Sequence, residues 1–216
     1  MSTPASSVLG CSSLSGAGSN LADVLFVVRH GRTAHNAGGL LLGSSDVPLD
    51  ELGVRQALAL GSLPALAGAR RVVSSPLSRA LDTAKAIGPP VSIDERWREI
   101  DYGSFEGVPL SAAGDLWERW SVDLAHRPPG GESLADVSIR VRRACSDLWE
   151  EASTADVVVV SHVSPIKVAV AWALGVGDEI CWRTHLDTAS ICVVGPGRNG
   201  PSLRGFNMTC HLLGTQ

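Results

Sequence analysis

Apolar runs set off by amphipathic stretches organise this chain. Residues 24–28 (Val-Leu-Phe-Val-Val) are wholly apolar, and Val157-Val158-Val159-Val160 is a pure β-branched run. Runs without polar alternation read as strands buried on both faces. Strand signals fall near 24–29, 71–74, 91–93, 157–161 and 190–194. Helical periodicity lies between them. Residues 51–66 begin with an acid and place apolar side chains at 52, 54, 58, 60 and 63. Residues 78–87 follow Pro76, a residue poorly tolerated deeper inside a helix. Over 134–151, Leu134, Val137, Val141, Cys145 and Leu148 recur at steps of three and four, with Arg140, Arg142, Arg143 and Glu150 mostly off the stripe. Residues 165–174 are almost wholly apolar and predict a buried helix. Alternating strands and helices predict an α/β fold with a mostly parallel sheet. Residues 102–131, carrying Pro, Gly and two Trp, interrupt the alternation and predict a cap over a pocket. Gly195-Pro196-Gly197 and Asn199-Gly200-Pro201, within 195–207, predict a hairpin turn between two late strands.

The 216 residues, 44% hydrophobic, suit one domain with a sizeable core. Residues 1–22, rich in Ser, Gly and Ala, read as a disordered tail before a domain over 23–216. Val8-Leu9-Gly10-Cys11 faintly resembles a lipoprotein cleavage box, but no basic segment and no adequate apolar segment precede it. No run approaches a membrane span. A net charge of −4 argues against a general nucleic-acid binder, so any anion site must be local. The five cysteines form no C-x-x-C pair and no metal spacing, which fits a reducing compartment, and a cytoplasmic location is expected by elimination. Oligomeric state is open, a homodimer included.

Chemistry collects where strands end. Residues 24–28 lead into Arg29-His30-Gly31, and Val157-Val158-Val159-Val160-Ser161 leads into His162. Val72-Val73-Ser74-Ser75-Pro76 leads into a helix start carrying Arg79, and Glu99 opens a Gly-punctuated loop. Open α/β sheets bind ligands at the carboxyl ends of their strands. Taken singly, His162 would be a satisfied strand-end histidine and Arg79 a surface helix residue. Five motifs in order change that weighting. Arg29-His30-Gly31 with Thr33 and Asn36, then Ser75-Pro76 with Arg79, Asp82, Thr83 and Ala84, resemble the first two motifs of the histidine phosphatase (phosphoglycerate mutase-like) superfamily. Glu99 with Gly103, Glu106 and Gly107 resembles its acid-donor loop, Pro129-Gly130-Gly131-Glu132-Ser133 its turn before a long helix, and Ser161-His162 its last catalytic strand. The likeness spans roughly residues 23–213 and points to the small phosphatase branch. It implies a three-layer α/β/α sandwich with one edge strand antiparallel. Arg32, His35, Phe105 and Val163-Ser164-Pro165 depart from the usual pattern. The last variant is similar to phosphatase domains fused to ribonuclease H, with no ribonuclease domain in these residues.

The resemblance implies a metal-independent phosphatase acting on a small phosphorylated metabolite through a phosphohistidine, with no cofactor. Phosphoryl transfer asks mainly for in-line positioning and charge neutralisation. Arg29, Arg79 and a protonated His162 would form the cationic cradle, with Asn36 as a neutral donor. His30 would be the nucleophile, kept neutral by the two arginines, its other nitrogen held by a carbonyl near Gly31. Glu99 would be the general acid; Asp101 is the rival, and the motif favours Glu99. Glu106 and Glu132 read as structural, His35 as a candidate rim residue, and His126, His185 and His211 as structural or exposed. Trp117 and Trp120 read as packing residues, one of them able to line the cleft. The candidate esters are sugar phosphates, phosphoglycerates, nucleotides and α-ribazole phosphate. Phosphoglycerate mutase is the alternative activity, and a non-catalytic interaction module on the same fold the alternative class. No G-x-S-x-G and no Walker loop supports another chemistry.

Overall fold

The computed structural model describes residues 23–88 and 90–215; the tail expected over 1–22 lies outside them. Among the described residues six strands form one sheet: β1 (Leu25–Arg29), β2 (Arg71–Ser74), β3 (Val91–Ile93), β4 (Val157–Ser161), β5 (Ile191–Gly197) and β6 (Gly200–Met208). Their order is β3-β2-β4-β1-β5-β6. β1, β2, β3 and β4 pair in parallel, while β5 is antiparallel to both β1 and β6. The antiparallel strand is therefore one in from the edge, not at it, because β6 folds back outside β5.

Among the described residues seven α-helices accompany the sheet: α1 (Ala34–Ala37), α2 (Glu51–Gly61), α3 (Pro64–Ala67), α4 (Ser78–Ile87), α5 (Gly114–Val122), α6 (Leu134–Ala152) and α7 (Val163–Leu174). Side chains alternate between the sheet's faces with period two. Leu25, Val27, Val157 and Val159 join the core built with α6 and α7. Phe26, Val28, Val158 and Val160 join the one built with α2 and α4. Both faces of β1 and β4 are thus covered, which is why their sequence shows no alternation. The result is the three-layer sandwich. Among the described residues no helix is long and apolar enough to cross a membrane.

Three expectations change. The single helix over 51–66 breaks at Leu63, and α3 restarts with Pro64 in its first turn, where a missing N–H costs nothing. The buried face of α2 is Gly53, Gln56, Ala57 and Leu60, whereas Val54 (48%) and Leu58 (61%) are exposed. The hairpin turn is shorter than 195–207. The strands run through both Gly-Pro segments, and Pro196 lies opposite Pro201. Pro196 lies beyond the part of β5 that pairs with β1, so its missing donor breaks no ladder bond there.

Candidate active site

The carboxyl ends of the adjacent strands β2, β4 and β1 bring the expected residues together. His30 follows β1, Ser75 and Arg79 follow β2, and His162 follows β4. The loop after β1 is pinned from below. The Arg32 N–H donates to Gln56 Oε1 (2.8 Å), and the Gly31 N–H donates to Thr83 Oγ1 (3.1 Å). Gly31 and Gly53 pack backbone to backbone, so a Cβ on Gly31 would strike the Gly53 carbonyl. This grip explains why α2 buries a glycine and a glutamine.

His30 Nδ1–H donates to the Gly31 carbonyl (2.6 Å), which leaves Nε2 with its lone pair. Burial first, then the charges of Arg79 and Arg29, hold this imidazole well below the usual histidine range. His162 lies beside it, ring centroids 5.0 Å apart. Arg79 Nε donates to His162 Nδ1 (3.2 Å), so the proton sits on Nε2, which donates to Ser75 Oγ (2.7 Å). Burial, then Arg79, His30 and Arg29, push His162 down as well. The protonated His162 expected from the sequence is thus a neutral imidazole here, since an Arg donor already occupies its Nδ1.

Arg79 is fully buried. Its Nη1 and Nη2 donate to the carbonyls of Ser45 (2.8 Å) and Gly43 (2.7 Å), and burial lowers its pKa to about 10. Glu106 builds this seat. Its carboxylate accepts the N–H groups of Gly43 and Ser44, at 3.2 and 3.0 Å, and of Tyr102 (3.2 Å). Arg29 Nη1 donates to the Leu186 carbonyl (2.6 Å), and its buried Nε has no partner.

Glu99 replaces a conventional helix cap. Its Oε2 accepts the Val163 N–H (3.0 Å), and its Oε1 accepts those of Ser164 (3.1 Å) and Ile100 (2.9 Å). Pro165, next in the first turn of α7, has no N–H to satisfy. The helix therefore starts at Val163, two residues before the predicted boundary. Arg140 fixes the loop from outside, pairing with Glu132 and donating to the carbonyls of Arg96 and Arg98.

A cavity of about 230 Å³ opens onto this cluster. Arg29, His30, Asn36 and Glu99 line it, with Leu40, Trp117 and Leu186 among its apolar walls. Arg79 and His162 do not; they are sealed behind His30. Asn36 spends Oδ1 on the Thr33 N–H and hydroxyl, leaving its NH₂ as the remaining donor. Asp101 accepts the Gly103 N–H and lines an adjoining open groove, which Glu99 also borders; of the two carboxylates only Glu99 lines the cavity with His30. His35 does not line the cavity. Tyr102, Leu110 and Trp117 do, placing the 102–131 segment over the pocket, while Trp120 is buried core. Among the described residues no three His, Cys, Asp or Glu are grouped to hold a metal ion.

The sequence model of the histidine phosphatase superfamily (branch 1) matches residues 25–209. This chain belongs to the histidine phosphatase superfamily. Relatives within the superfamily carry several names. "Bifunctional protein Rv2228c" of Mycobacterium tuberculosis is 38% identical over 198 residues, 87% of this chain and 54% of its own length. The chain thus spans about half the length of that relative. Glucosyl-3-phosphoglycerate phosphatase of Mycolicibacterium vanbaalenii is 38% identical over 166 residues, covering 70% of this chain and 74% of the relative. Proteins named as probable phosphoglycerate mutases match as well. Among solved structures, a phosphoserine phosphatase mutant from Entamoeba histolytica in complex with phosphoserine superposes with a TM-score of 0.80. It is 28% identical, over 88% of this chain and 98% of that one.

Two further residues line this cavity: Lys167, which no motif in the sequence singled out, and His185, expected to be structural or exposed and in fact largely exposed at the rim. Lys167 carried a signal, as the single charge in a helix of otherwise apolar or small residues. His185 carried none.

The two neutral imidazoles fix how stability depends on pH. Unfolded histidine titrates near 6.5, and both folded values lie well below that. As pH falls below about 6.5, the unfolded chain takes up protons that the folded state refuses. Stability is therefore fully present above that pH and declines on acidification, by up to about 1.4 kcal/mol per pH unit for each histidine. Urea midpoints followed from pH 7 to 5 fall in the parent protein and fall less in His30→Asn. A flat profile in the parent would contradict the neutral assignment.

Proposed function

We propose that this chain is a phosphomonoesterase that hydrolyses small phosphate esters through a phosphohistidine on His30, without a metal ion. The observation that carries the reading is the uncommitted Nε2 lone pair of a neutral, buried His30 at the floor of a cation-lined cavity. The ester's phosphate docks against the Arg29 guanidinium and the Asn36 amide, which both line the cavity. His30 Nε2 attacks phosphorus in line, the bond to the leaving oxygen breaks, and Glu99 gives that oxygen a proton. Water then attacks the phosphohistidine and yields a proton to Glu99. The P–N bond breaks, its electrons return to Nε2, and inorganic phosphate leaves. Arg79 and His162 act from behind His30. Arg79 places positive charge beside the reacting centre, and His162 joins it to the hydroxyl of Ser75. An incoming phosphate favours protonation of His162, which requires the Arg79 Nε contact to yield. The cytoplasm remains the proposed location, with Cys145, Cys181 and Cys192 as buried thiols.

Hydrolysis is favoured over mutase action because neither arginine of the cap reaches the cavity. Arg119 is exposed, and Arg127 pairs with Asp136 outside. Phosphate release from a panel of monoesters, with and without chelator, tests the reading. Activity should survive the chelator, vanadate should inhibit, and phosphate release should exceed any interconversion of 2- and 3-phosphoglycerate. Loss of activity on chelation, or interconversion outrunning release with bisphosphoglycerate present, would overturn it.

A further inference from the structure

One cation in the catalytic cavity is left without a task by this mechanism. Lys167, half-buried, lies in the middle of α7, a helix of otherwise apolar or small residues, and lines the cavity. An ammonium in such surroundings is costly unless its charge and hydrogens are met. Its Nζ donates to the Cys181 carbonyl (2.8 Å), which uses one of three hydrogens, and Glu99 is the carboxylate whose charge acts on it. Lys167 is four residues beyond Val163, so the two share a helix face, and both line the cavity. The Val163 N–H is one of those that hold Glu99. Ammonium, general acid and nucleophile thus border one space, whose remaining walls are largely apolar: Leu40, Leu41, Leu110, Trp117 and Leu186.

We propose that Lys167 is a specificity-determining residue that grips a carboxylate on the alcohol portion of the ester, so that the preferred substrates are compact phosphorylated hydroxy acids. The proposal rests on the phosphatase reading above. A carboxylate fits better than a second phosphate. Lys167 offers one unit of charge and two spare hydrogens, whereas recognition of a dianion favours the forked donors of an arginine. The volume of about 230 Å³ lies below the roughly 300–1,000 Å³ of drug-sized sites, which suits a small ester. The charge that the cap arginines do not provide comes instead from the helix that follows His162.

The test compares 3-phosphoglycerate with glycerol 3-phosphate, which share a three-carbon skeleton and differ in the carboxylate. In the parent protein kcat/KM should favour the acid by about tenfold or more, the scale of one charge-assisted hydrogen bond. In Lys167→Met that ratio should collapse towards one, chiefly through a higher KM for the acid, and Lys167→Arg should recover most of it. A parent ratio at or below one overturns the proposal without recourse to any variant, as does an active Lys167→Met protein with the parent ratio. If Lys167→Met fails to fold, the parent ratio and Lys167→Gln decide. Failure to release phosphate from either ester and from nitrophenyl phosphate would instead defeat the phosphatase reading itself.

Discussion

Replacing His30 by alanine lowers kcat for phosphate esters by on the order of 10⁴-fold or more, the scale seen when a covalent nucleophile is removed. No neighbour can substitute for it. His162 has Nδ1 occupied by Arg79 and carries its proton on Nε2 towards Ser75, so neither nitrogen presents a lone pair to the cavity. The hydroxyl of Ser75 accepts from His162 and lies behind the imidazole pair. The variant should still fold, because the loss removes a buried, desolvated ring rather than an apolar support. His162→Asn should act differently, reducing turnover without abolishing it, since it removes a link to Arg79 and leaves the nucleophile. Steady-state rates for both variants, with circular dichroism as a check on folding, make the comparison. Equal and near-parent activity in His30→Ala would remove the nucleophile from the mechanism.

Glu99→Gln has the second large effect, and it depends on the leaving group. Alkyl esters need a proton at the departing oxygen, so their hydrolysis should slow by about 10²–10⁴-fold. Nitrophenyl esters leave as a stabilised phenolate and should slow much less. The substitution also has a structural cost. Glu99 accepts backbone N–H groups on both oxygens, and an amide NH₂ set against the Val163 N–H opposes two donors. A loss of about 1–3 kcal/mol of stability should accompany the kinetic change. Asp101→Asn, at the neighbouring groove, should leave the dependence on leaving group as it was. Equal slowing of both ester types by Glu99→Gln, or a larger effect from Asp101→Asn, would reassign the acid.

The parts of the molecule most legible in its sequence are those where burial alone dictates residue type. β1 and β4 are covered on both faces, so nothing interrupts their apolar runs, and the residue after each strand is a histidine at the sheet's carboxyl end. The stripe from Leu134 to Leu148 in α6 is buried as its spacing predicts. Elements failed to show themselves where backbone, not side-chain, contacts decide. The inward face of α2 carries Gly53 and Gln56 because it grips the loop after His30, and the apolar Val54 and Leu58 point outward. The helix expected over 165–174 starts instead at Val163, where a carboxylate from residue 99 caps it. Such a pairing across 64 residues has no local signal.

The candidate site was legible in the same uneven way. Strand ends predicted where Arg29, His30 and His162 would meet. Their charge states follow from burial and from which nitrogen meets which partner, and only coordinates supply that. The carbonyl tie on His30 Nδ1 agrees with the expectation, whereas the neutral state of His162 departs from it. The arginines were expected to keep His30 neutral, and they contribute, but burial is the larger cause. Lys167 and His185 reach the cavity from a helix interior and a loop, outside any motif.

The central claim is a covalent phosphohistidine on His30. Mixing the enzyme with a ³²P-labelled monoester and quenching within milliseconds in alkaline detergent, where a P–N bond survives, tests it most directly. Label should appear on the protein before steady state, vanish on acid treatment, and map to the peptide containing His30. Steady-state turnover with no labelled protein, or label on Ser75 or His162, would contradict it.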